Sequence, residues 1–320
     1  MTDRAPFLRT RDSALRVSLD MLLMLSVLTL MAYIFYGWRP VVLVLVSTAC
    51  AVLLEAGACL WLRRPLSIKD GTAAITGALI GLLISPLSPY WLPVVGCAFA
   101  ILIVKMPFGG TGRNLFSPAA AGMALMTVLF PTQTLTFPAP SLSMQPLPLG
   151  DVSQVITAPS PSAMWMMGGQ LDLSWSEVFL GAFAGPSGTT AVIVIAACLI
   201  YLAVRRAARL STCLSFLAAT FIGSLLLWQN ASQALMMLLA TPVFFAAVFL
   251  LPDPVTSPKN TCGRILYGVA AAVFLLLVRS FARYEETVCF AVLLANAFAP
   301  ALDHLGYRIT CRLRKKEDKV

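Results

Sequence analysis

The chain has 320 residues, 59% of them hydrophobic and only 12% charged, against about 25% charged in a soluble domain. So little charge excludes a water-wrapped globular fold and requires the apolar stretches to face lipid. The net charge of +9 points to basic loops beside a membrane and not to a nucleic-acid partner, because no basic stripe with interleaved aromatics is present.

Residues 1–16 carry Arg4, Arg9, Arg11 and Arg16 ahead of the first apolar run. That run lacks a small-residue cleavage site and is followed by a second one, so it is expected to be a first transmembrane helix and not a removable signal. A spanning helix needs about 20 apolar residues. Ten candidates follow in order: 17–36, 41–62, 71–88, 91–105, 117–131, 177–203, 211–228, 233–251, 265–281 and 286–303. The predicted fold is therefore an all-α polytopic membrane protein of about ten transmembrane helices. Residues 17–131 form a first five-helix half, 132–176 an outer loop, 177–303 a second five-helix half, and 304–320 a basic tail. An odd number of spans per half makes the second half start from the opposite side. This is the arithmetic of two inverted repeats, whose midplane sites are built from broken helices.

Basic residues orient the chain. With both termini in the cytoplasm, 20 of the 23 Lys and Arg fall on cytoplasmic segments. Only Arg39, Arg279 and Arg283 lie outside. The stretch 131–176 has no Lys or Arg at all, although it holds Asp151 and Asp172. It is assigned to the outer face of a cell inner membrane.

Several polar groups interrupt the apolar pattern. Glu55 lies within the second span, where an unpaired carboxylate is costly, so it is a candidate for ion contact. The bland alternative pairs it with Arg63 or Arg64. At 108–119 (FGGTGRNLFSPA) three glycines let backbone approach a ligand, Asn114 adds a donor, and Ser117-Pro118 fits a helix start. A tight loop between spans explains the same residues equally well. Gly185-Pro186-Ser187-Gly188 reads as a half-helix junction or a kink. Asp253, fixed between Pro252 and Pro254, is placed to cap a helix, to pair with Lys259 or Arg264, or to contact an ion, and a helix-terminating turn explains the same residues. The eight cysteines form no CxxC pair and His304 is the single histidine, so neither a metal centre nor a haem is expected.

Taken together, five stretches resemble the RnfD component of the Rnf electron-transport complex and its relative, the NqrB component of the sodium-pumping NADH:quinone reductase. They are 67–81 (SIKDGTAAITGALIG), 105–122 (KMPFGGTGRNLFSPAAAG), 251–268 (LPDPVTSPKNTCGRILYG), 278–281 (VRSF) and 290–296 (FAVLLAN). The resemblance implies a membrane component of an ion-translocating ferredoxin:NAD⁺ oxidoreductase, a translocase whose other components are RnfA, RnfB, RnfC, RnfE and RnfG. It implies electron transfer coupled to movement of Na⁺ or H⁺. It also implies covalent FMN, joined through its phosphate to a threonine six residues after an aspartate. Asp151 places that threonine at Thr157. The residues between depart from the family pattern: Gln154 and Ile156 stand where a hydroxyl residue and Ala are usual, which leaves Thr189, Ser153 or no covalent flavin as alternatives. Gly110, Asn114 and Asp253 are the implied contacts of a flavin ring, with riboflavin as a second candidate cofactor. Two other functions fit the residues: an inverted-repeat transporter or channel for a small solute, and a flavin-free scaffold paralogue.

Overall fold

The computed structural model describes residues 14–63, 70–110, 112–139, 147–167, 173–205, 207, 209–282 and 285–317. Expectations resting on Arg4, Arg9, Arg11, Arg64, Lys69, Thr111, Asp172, Arg206, Arg283 and Lys319 fall outside these residues. α1 (Ala14–Tyr36) and α2 (Trp38–Trp61) are joined at Gly37, whose φ of 78° suits only glycine. α3 (Thr72–Leu83) follows, then α4 (Leu92–Ala98), which runs on as a π-helix over Phe99–Lys105, then α5 (Pro118–Leu129). Short elements come next: α6 (Pro131–Leu135), β1 (Phe137–Pro138), β2 (Thr157–Ala158), α7 (Pro161–Met166) and α8 (Trp175–Leu180). The remainder is α9 (Val192–Val204), α10 (Leu210–Trp228), α11 (Ala231–Ala240), α12 (Val243–Phe249), α13 (Thr261–Ala282) and α14 (Val288–Glu317).

Among the described residues, α1, α2, α10, α13 and α14 are each long and apolar enough to cross a membrane. α11 and α12 bend by 56° at their break and make a sixth span when taken together. Four shorter apolar helices lie at Thr72–Leu83, Leu92–Lys105, Pro118–Leu129 and Val192–Val204. The chain is thus an all-α, multi-pass membrane protein. A helix stands at each of the ten positions read from the sequence, but Gly and Pro cut several below bilayer length. α3 stops where Ile84 turns extended ahead of Ser85-Pro86, and α11 stops at Thr241-Pro242. Large apolar side chains such as Leu53, Trp61 and Leu226 point outward, a surface that lipid and not water would cover.

The helices leave two ends. One, the loop end, gathers the α1–α2 junction, residues 86–91, the segments described within 131–180, and the α13–α14 junction. The other, the tail end, gathers the Gly-rich loop 106–117, the loop 250–260 and the far end of α14. Near the middle, the irregular stretch 182–191 is largely buried. There the Gly188 amide donates to the Leu82 carbonyl at 2.9 Å. Leu82 lies in the last turn of α3, where carbonyls lack a helical partner. A Cβ on Gly188 would stand 2.6 Å from the Leu82 Cβ, so only glycine allows this approach.

Candidate functional site

At the loop end, Pro138 pairs with Thr157 and Phe137 with Ala158 in an antiparallel ladder. The Ala139 amide adds a bond to the Ile156 carbonyl at 2.8 Å. This short ladder holds Thr157 on the surface, beside an exposed Ile156. Among the described residues its hydroxyl donates no hydrogen bond. Upstream, Asp151 accepts from the Ser153 amide and hydroxyl, both at 2.9 Å. These bonds hold the Asp151 carboxyl below its usual range. The two hydroxyls that compete with Thr157 are engaged: Ser153 with Asp151, and buried Thr189 with the Pro186 carbonyl at 3.1 Å.

One arginine organises this surface. Arg39 is 3% exposed. Its guanidinium donates to the carbonyls of Pro86, Leu87 and Ser88 on one side and of Pro148, Leu149 and Gly150 on the other. It also sits over the Tyr90 ring, 4.9 Å from the centroid. Sequence alone marks Arg39 as an outer charge and no more. Its role as a clamp on the loop depends on contacts more than 100 residues away.

At the tail end the Gly-rich and Asp-Pro motifs meet. Asn114, Leu115, the stretch 255–259, and Asn296, Ala299, Pro300 and Asp303 of α14 line a cavity of about 180 Å³. Two buried amide atoms there lack partners among the described residues: the Asn114 Oδ1 acceptor and the Asn296 Nδ2 donor. The other end of the Asn296 amide accepts from the Tyr267 hydroxyl. Asp303 accepts from the Asn260 amide at 3.1 Å. Sequence reasoning gives Asn296 no role; an amide inside the apolar run FAVLLAN is the one signal of it.

Gly110 and Asp253 stand beside this cavity and do not line it. Gly110 has a φ of 85°, and its amide closes a wide turn onto the Lys105 carbonyl at 3.2 Å. Asp253 neither caps a helix nor pairs with Lys259 or Arg264. Its carboxylate accepts from the Val255 amide at 3.1 Å and the Thr256 hydroxyl at 3.4 Å, within its own loop. Burial raises its carboxyl above the usual range. Arg264 turns to the Pro258 and Lys259 carbonyls instead. Ser117 occupies the N-cap position with Pro118 at the first helical residue, as expected, but its side chain makes no capping bond.

Among the described residues Glu55 pairs with a residue from the end of the fourth span. Its carboxylate meets Lys105 Nζ at 2.8 Å, with side-chain exposures of 0% and 1%. Lys105 also donates to the Thr72 hydroxyl at 2.8 Å. The sequence reading ends a span at Lys105 and counts it with the cytoplasmic charges. It is the last residue of the π-helix Phe99–Lys105 and is buried, the wider turn changing the facing of everything after it.

These features define a class: an all-α, multi-pass membrane protein with interrupted helices, a presented threonine at one end and a polar pocket at the other. The chain belongs to the NQR2, RnfD, RnfE family, whose model matches residues 1–310. Among similar proteins, the D component of the ion-translocating oxidoreductase complex of Shewanella sediminis is 31% identical over 301 residues, covering 84% of this chain and 86% of that protein. Its counterpart in Shewanella amazonensis is 33% identical over 298 residues with the same coverage. That of Escherichia coli O9:H4 is 30% identical over 304 residues.

Proposed function

We propose that this chain is the RnfD-type membrane component of an ion-translocating oxidoreductase complex, carrying FMN as a phosphoester on Thr157. In this role it relays electrons between ferredoxin- and NAD-linked components in the cell inner membrane, coupled to movement of Na⁺ or H⁺. Family membership and the names of its relatives support the class. The observation that carries the cofactor is the free, surface-held hydroxyl of Thr157, while Ser153 and Thr189 are engaged elsewhere. A phosphoester needs an accessible oxygen with no structural bond to break, and Thr157 fits that need.

Ten spans in two inverted halves, with both termini cytoplasmic, are part of the same reading. This reading counts as passes the five long helices, the bent α11–α12 pair taken once, and the four shorter apolar helices. The tail-end cavity suits a second, noncovalent ring such as riboflavin. An isoalloxazine edge carries both N–H donors and carbonyl acceptors, and Asn114 and Asn296 leave one acceptor and one donor unpaired. Gly110 and Asp253 shape the two loops that bring those amides together. Bound flavin would supply the one- and two-electron chemistry, and the protein its position and electrostatics. Glu55 remains a candidate for ion contact, reached only when its bond to Lys105 opens. The relatives' names describe one component of a larger complex; from the family resemblance we take RnfA, RnfB, RnfC, RnfE and RnfG as its neighbours.

The test is the intact mass of the chain purified from its native membrane, with in-gel flavin fluorescence after denaturation. An FMN adduct lost in Thr157→Ala supports the proposal. Fluorescence that survives that change overturns the attachment site. A colourless chain of unmodified mass that still joins redox partners favours the scaffold reading; one that joins none favours a solute transporter.

A further inference from the structure

The loop end has three basic residues, and the phosphate of a flavin on Thr157 requires a counter-charge. Arg39 is saturated by six carbonyls, and Arg283 lies outside the described residues. Arg279 of the VRSF stretch remains, near the end of α13, where neither the Arg39 clamp nor the tail-end cavity uses it.

Arg279 is held in place with capacity left over. Its guanidinium lies over the Trp165 ring, 4.1 Å from the centroid, and donates to the Ser162 hydroxyl at 3.3 Å. Both residues belong to α7, which begins four residues after Thr157. The cap of that helix is tied to the same place, since the Ser160 hydroxyl accepts from the Ala163 amide and donates to Glu285. Among the described residues Arg279 Nε is buried without a partner. Two more polar atoms beside it are in the same condition: Glu286 Oε1 and Thr287 Oγ1, on residues 4% and 0% exposed. Glu286 makes no salt bridge to Arg279 among the described residues. Burial, with Glu285 adding to it, pushes its carboxyl up to about 8, so near neutral pH it is mostly uncharged. The guanidinium therefore keeps at least one donor, its Nε, unspent among the described residues.

We infer that Arg279, seated on Trp165 and oriented by Ser162, docks the phosphate of a phosphoflavin carried on Thr157. The inference rests on the Thr157 reading. Five residues separate Thr157 from Ser162, so the chain keeps the two within about 17 Å even when fully extended. Arginine suits the task because its planar fork binds phosphate oxygens through paired N–H donors, and stacking on an aromatic ring pre-sets its plane. Arg279 is a positioning residue: it fixes the tether and takes no part in forming the phosphoester.

The experiment compares wild type, Arg279→Gln and Ser162→Ala, each purified after co-expression with the flavin-attaching enzyme. Intact mass reads attachment, and steady-state flavin fluorescence anisotropy reads docking. Wild type should carry the adduct with high anisotropy. Arg279→Gln should carry the same adduct with anisotropy lowered about twofold, as a charge-assisted clamp is lost. Ser162→Ala should shift the same way by less, and it decides the matter should Arg279→Gln fail to accumulate. An adduct with unchanged anisotropy in both variants overturns this inference and leaves the Thr157 reading intact. That result is also the one expected if a phospholipid headgroup occupies Arg279. A wild-type chain without adduct overturns both.

Discussion

The loop end and the tail end solve opposite problems. At the loop end a two-residue ladder presents Thr157 to solvent, with its hydroxyl free and little around it to enclose a ligand. At the tail end, loops from two motifs and one face of α14 line an open cavity of about 180 Å³ with amide atoms unpaired among the described residues. An exposed position cannot retain a cofactor by burial, so a covalent bond is the effective means there. A concave polar cleft can hold one by hydrogen bonds and surface contact without a covalent bond. The proposed division of labour, a tethered flavin at one end and an untethered one at the other, follows from that contrast.

The sharpest way to break the comparison is to exchange the losses. Thr157→Ala should abolish all flavin that survives denaturation, while Asn114→Leu should leave that signal whole and deplete only the flavin released on denaturation. Flavin quantified in both fractions checks this, and equal losses in both fractions would refute the division. Next in size is Glu55→Ala, which strands a buried ammonium. Removing one partner of a buried pair costs about 3–5 kcal/mol, seen as a large drop in thermal stability in detergent. Replacing both, as Glu55→Leu with Lys105→Met, should restore most of it; if ion transport stays lost in that double variant, the pair is functional and not merely structural.

Arg39→Met tests the loop end alone. It removes a guanidinium shared by six carbonyls and should cost about 3 kcal/mol, since each buried carbonyl left unpaired costs about 1–3 kcal/mol before water returns. Limited proteolysis within 140–156 should accelerate while the α10–α14 core holds. The smallest expected effect is one of pH. Folding raises the Glu286 carboxyl from 4.5 to about 8. Between those values the folded state holds a proton that the unfolded chain has released. Stability should therefore decline as pH rises from about 5 to 8. Glu286→Gln should flatten that decline in a thermal-shift series.

The long helices are legible in the sequence because composition alone demands them: α1, α2, α10, α13 and α14 are runs that only lipid tolerates. The breaks are legible too, since Gly185-Pro186, Pro242 and Pro86 interrupt hydrogen bonding locally. The interior pairings are less so. Lys105 reads as a cytoplasmic charge at the end of its span because a π-helix, and not composition, turns it inward to Glu55. The task of Arg39 is set by carbonyls of 148–150, and backbone acceptors have no residue signature. The cavity is half visible. Asn114 stands out in its Gly-rich string, whereas Asn296 and Asp303 come together with it only because α14 packs there.

The bond between Gly188 and Leu82 has a mechanical meaning. It rivets the irregular stretch 182–191 onto the broken end of α3, with no room for a side chain between them. A carrier that works by rocking one half past the other would have to shear this rivet in every cycle and leave two backbone groups unpaired inside the bilayer. A chassis for electron relay has the reverse requirement, because transfer rates depend on fixed spacing between redox groups. A rivet at the centre of the bundle serves that requirement.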